Sequence, residues 1–250
     1  LSKERCVISG IDYSQDILAT IDCLESLGAE IHIENDTVIV NPEGFMQTTS
    51  TTLNCRESGS TLRFFIPLAL CLNKEITLQG SKRLFERPLD VYEKLCLDNG
   101  FEFKKSEDSV TVCGKLKSGK YEINGNISSQ FLTGLLFTLP LLNEDSEIRL
   151  TTDLQSSPYI DLTLEILNEF GVNIERPDER TFIIKGNQQF KPAELYCEGD
   201  WSNAAFWYAA NAMGSRIEIS GLDKNSSQGD RKVIEVVSAI ASGDCVIDVK

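Results

Sequence analysis

Three glycines that follow similar segments recur in this sequence at a nearly constant interval, 72 and 71 residues apart. Gly28, Gly100 and Gly171 each follow an acid-rich amphipathic stretch and precede alternating apolar residues. Glycine in such a position commonly ends a helix, because it adopts a left-handed backbone at no steric cost. The spacing predicts a repeated unit in which an amphipathic helix leads into a strand, with the helices at 14–27, 88–99 and 159–170.

A short polar cluster lies between successive glycines and opens an apolar run. The clusters are 57–61, 126–130 and 198–203, and the apolar runs are 62–72, 131–142 and 204–213. Ser, Thr, Asp and Asn in these positions satisfy the free N–H groups of a first helical turn. Each unit therefore gains a second, apolar helix, with strands expected at 38–40, 75–78, 110–112, 147–150, 182–184, 216–219 and 244–249.

Bulk properties exclude several classes of protein. A formal net charge of −14 disfavours a general nucleic-acid binder, which needs a basic surface. The longest apolar runs are shorter than the roughly 20 residues of a membrane helix, so we expect no membrane partner. Eight cysteines are scattered without a C-x-x-C pair, which favours a reduced, cytoplasmic protein.

The single histidine, His32, lies in an alternating strand pattern and is expected to be a surface strand residue. It leaves little basis for a Ser-His-Asp hydrolase or for a zinc site.

Two segments near the first apolar helix carry candidate ligand-binding residues. Gly59 precedes that helix among small residues, where backbone N–H groups can hold a phosphate or a carboxylate. Arg87 lies just before Pro88, which can open a helix, and a guanidinium can grip such an anion by two hydrogen bonds. The alternatives are a capped buried helix at Gly59 and a surface arginine, solvated or paired with Glu86 or Asp90.

The next polar clusters offer hydroxyl and amide groups. Ser128, Ser129 and Gln130 open the second apolar helix, where hydroxyls and first-turn N–H groups suit a phosphate. Ser156 and Tyr159 flank a comparable helix start that contains Pro158. Helix capping is the competing explanation at both places.

The ordered set of these segments resembles the 5-enolpyruvylshikimate-3-phosphate synthases, or 3-phosphoshikimate 1-carboxyvinyltransferases. No single segment is decisive, but their order and spacing across nearly the whole chain are specific. The matching segments are 57–63 (ESGSTLR), 86–88 (ERP), 128–134 (SSQFLTG), 157–163 (SPYIDLT), 198–202 (EGDWS) and 228–230 (QGD).

The resemblance implies an inverted α/β fold built from repeated βαβαββ units. Residues 1–195 would form a shikimate-phosphate-binding domain that lacks its first helix, and 196–250 the incomplete first unit of a second domain. In this family, 3-phosphoshikimate and phosphoenolpyruvate react without a metal or organic cofactor. The 5-hydroxyl adds to the protonated enolpyruvyl group, and the adduct then expels phosphate.

The resemblance also implies roles for individual residues. Ser128 and Ser129, helped by Ser156, would hold the shikimate phosphate. Gln130 would lie at the junction of both substrates, and Tyr159 on the shikimate side.

For the second substrate, Arg87 would bind phosphoenolpyruvate, and Gly59 would let it, or the inhibitor glyphosate, lie close to the backbone. Arg63 matches an arginine of the family whose role is expected to be supporting. Glu57 departs from the family pattern, because an acid near this site repels an anion unless it turns away or is paired.

The resemblance further implies that the chain begins after a substrate-contacting basic helix and stops before the usual catalytic aspartate. The catalytic residues are therefore unassigned here, and we expect the chain alone not to turn over substrate, while its full-length form is expected to be monomeric. The alternatives are a UDP-N-acetylglucosamine enolpyruvyl transferase and a non-catalytic repeat or binding domain. The shikimate acceptor is favoured over the nucleotide sugar by the segment Ser128 to Gln130 followed by residues 157–159.

Overall fold

Three four-stranded sheets of equivalent strand order organise most of the described chain. The computed structural model describes residues 1–47, 49–126 and 128–243, which divide into a first unit, Leu1–Tyr196, and a second that begins at Cys197. The strands are β1 (Cys6–Ser9), β2 (Glu30–Glu34), β3 (Thr37–Asn41), β4 (Thr52–Asn54), β5 (Ile76–Gln79), β6 (Glu102–Lys105), β7 (Ser109–Cys113), β8 (Lys120–Ile123), β9 (Ser146–Leu150), β10 (Ile174–Asp178), β11 (Thr181–Ile184) and β12 (Glu194–Tyr196). The helices are α1 (Gln15–Ser26), α2 (Gly59–Cys71), α3 (Lys82–Phe85), α4 (Asp90–Asn99), α5 (Ser129–Thr138), α6 (Ser157–Glu169), α7 (Trp201–Ala212) and α8 (Val233–Ser242), with 3₁₀ turns at Leu139–Leu141 and Gly229–Lys232.

Each sheet consists of a parallel outer pair followed by two antiparallel strands. The orders are β12-β1-β3-β2, β4-β5-β7-β6 and β8-β9-β11-β10. Helices α2 and α5 connect the parallel pairs β4–β5 and β8–β9, since parallel neighbours need a crossover. The predicted unit of strand, apolar helix, strand, amphipathic helix, glycine and strands is therefore confirmed across β4–β7 and again across β8–β11.

The sheet containing β1 is completed by residues from the far end of the first unit. β12 pairs parallel with β1, in the register Val7 with Glu194 and Ser9 with Tyr196. The Ser9 hydroxyl also donates to the carbonyl oxygen of Leu195, a residue 186 positions later in the chain. The first unit is thus closed by contact between its two ends.

The predicted helix ends are confirmed at all three glycines. Gly28, Gly100 and Gly171 have φ angles of +96°, +72° and +74°, in the left-handed region that favours glycine. The strands expected at 38–40, 75–78, 110–112, 147–150 and 182–184 coincide with β3, β5, β7, β9 and β11 to within one residue. His32 lies on β2 with an exposed side chain beside Glu30, as expected of a surface strand residue.

The strand expected at 216–219 does not form, so that prediction was wrong. A strand needs a partner strand, whereas here a side chain satisfies the backbone of Ile217. The Asn211 amide donates to the carbonyl oxygen of Ile217 and accepts from its N–H, both at 2.8 Å. The strand expected at 244–249 lies outside the described residues.

Helices α2 and α5 form the centre of the first unit. Both are buried around most of their circumference, as their apolar sequences predict. Their packing is close because Gly134 on α5 has no side chain, and Tyr92 of α4 donates to the carbonyl oxygen of Phe131 at 2.9 Å. This buried pair carries polar groups at its amino-terminal ends, and those ends position the candidate site.

Candidate functional site

A groove of about 570 Å³ lies in the first unit where α5 and α6 begin. Five of the seven residues singled out from the sequence line it, namely Ser128, Ser129, Gln130, Ser156 and Tyr159. The other lining residues are Ser60, Phe64, Thr133, Phe137, Leu162, Thr163 and Ile166. The structure therefore brings together five predicted residues that the sequence separates by up to 31 positions.

Two hydroxyls of the groove are available to a ligand. Among the described residues, neither the Ser129 nor the Ser156 hydroxyl has a hydrogen-bond partner, although Ser129 is 9% exposed. Ser156 has a φ of +62° and makes no side-chain cap, so capping does not explain this serine. Capping does apply to Ser128, whose hydroxyl accepts from the N–H of Gln130 at 3.4 Å. Free hydroxyls at two helix starts suit a phosphate or a carboxylate.

The remaining two predicted residues, Gly59 and Arg87, meet beside this groove. A Cβ built on Gly59 would lie 2.6 Å from Nη1 of Arg87 and 3.0 Å from Nη1 of Arg63. Two guanidinium groups thus converge on the first residue of α2, and the neighbouring Ser60 lines the groove. Ser58 caps the helix by accepting from the N–H of Thr61 at 3.2 Å. The capped-helix explanation is therefore correct here and coexists with the cationic pair.

Arg87 is not paired with an acid in the part of the chain that the structure describes. Among the described residues it forms no ion pair with Glu86, Asp90 or another carboxylate, and its loop precedes α4, which begins at Asp90 rather than at Pro88. Glu57, the departure from the family pattern, is exposed and does not line the groove.

Arg63 connects the cationic pair to the groove. Its Nη1 donates to Oε1 of Gln130 at 2.7 Å, and its guanidinium lies 4.9 Å from the centre of the Phe131 ring. Burial, and then the charge of Arg87, lower the pKa of the Arg63 guanidinium. Arg63 forms no ion pair among the described residues, so the positive charge of this region is not neutralised by an acid.

Two threonines of the groove were not predicted from the sequence. Thr133 and Thr163 face each other there, with their hydroxyl oxygens 3.1 Å apart, and Thr163 donates to the carbonyl oxygen of Tyr159. Thr133 lies four positions after Ser129, and Thr163 four after Tyr159. Helical periodicity was the signal that could have identified both residues.

The two matching segments of the second unit contact each other. The Gln228 amide donates to Oε1 of Glu198 at 2.8 Å and accepts from the N–H of Trp201 at 2.9 Å. Asp200 caps α7 by accepting from the N–H of Ser202 at 2.8 Å. These polar residues hold the start of α7.

Repeated βαβαββ units, with a polar groove at the starts of α5 and α6, define an α/β repeat class of protein. The chain belongs to the EPSP synthase family, the 3-phosphoshikimate 1-carboxyvinyltransferases, whose family model matches residues 1–249.

Relatives of known function are similar along nearly the whole chain. It is 44% identical over 245 residues to the 3-phosphoshikimate 1-carboxyvinyltransferase of Clostridium perfringens, covering 97% of this chain and 58% of that protein. It is 44% identical over 239 residues to the enzyme of that name from Clostridium kluyveri, covering 95% and 56%. The chain thus spans little more than half the length of these relatives.

Solved structures support the fold. An EPSP synthase from Acinetobacter baumannii superimposes with a TM-score of 0.75 at 18% identity, covering 94% of this chain and 54% of that one. A second structure of an EPSP synthase from that organism has a TM-score of 0.70, covering 85% and 48%. The predicted inverted α/β fold is confirmed. The UDP-N-acetylglucosamine enolpyruvyl transferase alternative is not favoured by these relatives.

Across the part of the chain that the structure describes, the helices are too short or too polar to cross a bilayer.

Proposed function

We propose that the protein to which this chain belongs transfers the enolpyruvyl group of phosphoenolpyruvate to the 5-hydroxyl of 3-phosphoshikimate and releases phosphate. Residues 1–195 are proposed as its shikimate-phosphate-binding domain. The supporting observation is the groove lined at two helix starts by Ser129 and Ser156, whose hydroxyls have no hydrogen-bond partner within the described ranges. Relatives at 44% identity bear the name of this activity.

In this proposal the shikimate phosphate is held by hydroxyls and backbone groups. Ser128, Ser129 and Ser156 donate to its oxygens, and the first-turn N–H groups of α5 add the positive end of the helix dipole. Gln130 contacts both ligands, and the half-exposed Tyr159 ring borders the shikimate.

Phosphoenolpyruvate is assigned to the side of Gly59 and Arg87. The shikimate 5-hydroxyl adds across the C2–C3 double bond of phosphoenolpyruvate: its oxygen bonds to C2, its own proton is released and C3 gains a proton. The adduct then loses a C3 proton, the double bond forms again and the C2–O bond to phosphate breaks. Two anionic substrates held side by side repel each other, so nearby cations are needed. Arg87 supplies positive charge beside Gly59, and it has no neutralising carboxylate among the described residues.

We also propose that residues 196–250 are the beginning of a second domain, and that the full-length protein is monomeric and cytoplasmic. The scattered cysteines are consistent with that location, since the seven described ones are free thiols.

Ligand binding to the 250-residue chain tests the proposal. A titration with 3-phosphoshikimate, followed by two-dimensional amide NMR, is expected to shift resonances of residues 128–134 and 156–159. Ser129→Ala should weaken binding about tenfold through loss of one hydrogen bond to a charged group.

Ser14→Ala is the matched control, because it removes a hydroxyl from another helix start, the cap of α1, outside the groove. It should leave affinity unchanged. Binding of UDP-N-acetylglucosamine instead of 3-phosphoshikimate would contradict the assigned acceptor, and equal affinities for wild type and Ser129→Ala would contradict the site.

A further inference from the structure

We infer that Arg63 is a positioning residue that orients the Gln130 amide so that its NH2 group, and not its oxygen, faces the ligand. The inference rests on the proposed function for the identity of that ligand. It assigns Arg63 a role exerted through Gln130 rather than by direct contact with substrate.

The chemistry of the two groups determines the orientation. A guanidinium has only donors, so the atom of Gln130 that lies 2.7 Å from Nη1 of Arg63 must be the acceptor oxygen. The amide nitrogen, Nε2, is then the atom directed away from Arg63. Because Gln130 lines the groove, we infer that Nε2 faces a ligand there. In most glutamines the oxygen and nitrogen exchange places at little cost, but here an exchange would set NH2 against a cation.

Arg63 is itself held firmly. It is 8% exposed, Nη2 donates to the carbonyl oxygen of Pro88 at 3.4 Å, and the Phe131 ring lies beneath the guanidinium. Its buried Nε has no hydrogen-bond partner among the described residues. A buried cation without an acidic partner is costly, which is a reason to expect a function at this position.

The orientation restricts what Gln130 can recognise. An NH2 group that faces the groove donates to phosphate, carboxylate or hydroxyl oxygens, and it cannot accept from a ligand donor. If the amide were free to turn, its oxygen would face anionic ligands for part of the time and repel them. Arg63 thereby favours acceptor-rich, anionic ligands next to Ser129.

The first test needs no ligand. In the 250-residue chain labelled with ¹⁵N, the Gln130 side-chain NH2 signal is identified by its disappearance in Gln130→Ala. We expect this NH2 group to be rigid on the picosecond to nanosecond timescale in the wild type and in Arg63→Lys, which keeps a cationic donor. In Arg63→Met it should become mobile. An NH2 group that is equally mobile in all three proteins would overturn the inference, whether or not 3-phosphoshikimate binds.

The second test separates positioning from direct attraction. Arg63→Met should weaken 3-phosphoshikimate binding about tenfold in the wild-type background and by less than twofold in the Gln130→Ala background. Equal losses in the two backgrounds would show that Arg63 acts on the ligand independently of Gln130 and would overturn the inference.

A third variant covers the case in which Arg63→Met does not fold. Gln130→Glu keeps an acceptor for Arg63 but has no NH2 group, so it should bind 3-phosphoshikimate no better than Gln130→Ala. Wild-type affinity in Gln130→Glu would overturn the inference. Absence of binding by the wild type would count against the proposed function and leave the NH2 dynamics as the decisive result for Arg63.

Discussion

Gly134 of α5 packs directly against the backbone carbonyl of Arg63 on α2. A Cβ at position 134 would lie 2.7 Å from that oxygen and 2.4 Å from the hydroxyl oxygen of Tyr92. Pro67 lies four residues after Arg63 and has no N–H, so this carbonyl has no helical hydrogen bond from it. The two central helices therefore approach each other where one lacks a side chain and the other lacks a backbone donor.

Gly134→Ala is expected to destabilise the first unit by about 1–3 kcal/mol, because the new methyl group meets backbone and a buried tyrosine. Alanine is intrinsically the better helix former by about 1 kcal/mol, so the packing penalty must outweigh that gain. Urea unfolding followed by far-UV circular dichroism measures the change. An increase in the free energy of unfolding would contradict the packing described.

Gly59→Ala is expected to affect ligand binding rather than stability. Here the new methyl group meets the end of the flexible Arg87 side chain at 2.6 Å, which can move aside. We expect the free energy of unfolding to stay within about 0.5 kcal/mol of the wild type. Phosphoenolpyruvate binding in the presence of 3-phosphoshikimate should weaken about tenfold, because Arg87 leaves its position.

Calorimetric titration with each ligand separates the outcomes for Gly59→Ala. Affinity for 3-phosphoshikimate alone is the internal control and should change by less than twofold. Ser129 and Ser156 are untouched, and Nη1 of Arg63, 3.0 Å from the new Cβ, needs to shift by only a few tenths of an ångström. A parallel loss of both affinities would indicate a general disturbance and would contradict the separate assignment of the two ligands.

Stability is expected to fall at alkaline pH through the buried thiols. Burial raises the pKa of Cys96 to about 12 from an ordinary value of 9.0. Between these values the unfolded chain has released the thiol proton and the folded chain has kept it, so unfolding is favoured as pH rises. Cys96 does not change the free energy of unfolding below about pH 9. Between about pH 9 and pH 12 it lowers this free energy by about 1.4 kcal/mol per pH unit.

In Cys96→Ala the free energy of unfolding should fall less steeply with pH, by about 1.4 kcal/mol per pH unit, because one fewer proton is released on unfolding. Urea unfolding from pH 8 to 10.5 under reducing conditions measures this slope. Cys71→Ala should do the same, because burial raises the pKa of Cys71 to about 12 as well. Identical slopes for the wild type and both variants would rule out this explanation.

The second unit is expected to unfold before the first. Its described residues bury few apolar side chains, chiefly Trp201 and Ala204, while Phe206 is 76% exposed and Met213 84%. Little apolar burial gives little stabilisation. Both tryptophans of the chain, Trp201 and Trp207, belong to this unit, so fluorescence reports on it selectively.

Tryptophan fluorescence should therefore change at a lower urea concentration than the far-UV circular dichroism signal, which the first unit dominates. Trp207→Phe leaves the buried Trp201 as the reporter and should preserve the difference. Superimposable unfolding curves from fluorescence and circular dichroism would contradict the prediction that the second unit unfolds first.

Local features of the fold could be predicted because they depend on neighbouring residues. A glycine after an amphipathic stretch sets a helix end within one turn, as at Gly100, and Ser58 and Asp200 cap the helices that their clusters precede. The predicted site residues were recognisable as helix starts, and the repeated order of units implied that such starts are equivalent.

Contacts between distant residues could not be predicted from the same patterns. The bond from Arg63 to Gln130 joins residues 67 positions apart, and neither residue carries a local sign of the other. The missing strand at 216–219 has the same cause, since alternating apolar residues show that a segment can be extended but not that a partner strand is present. The left-handed backbone of Ser156 was likewise unforeseen, because serine gives no preference for it.

The pairing of β12 with β1 has a consequence for how the polypeptide acquires its structure during translation. Of the described strands β1 is synthesised first, but its parallel neighbour β12 follows only after the other two sheets have been synthesised. The outer edge of β1 therefore stays unpaired in the nascent chain until residues 194–196 arrive, and chaperone capture or self-association at that edge is most expected in this interval.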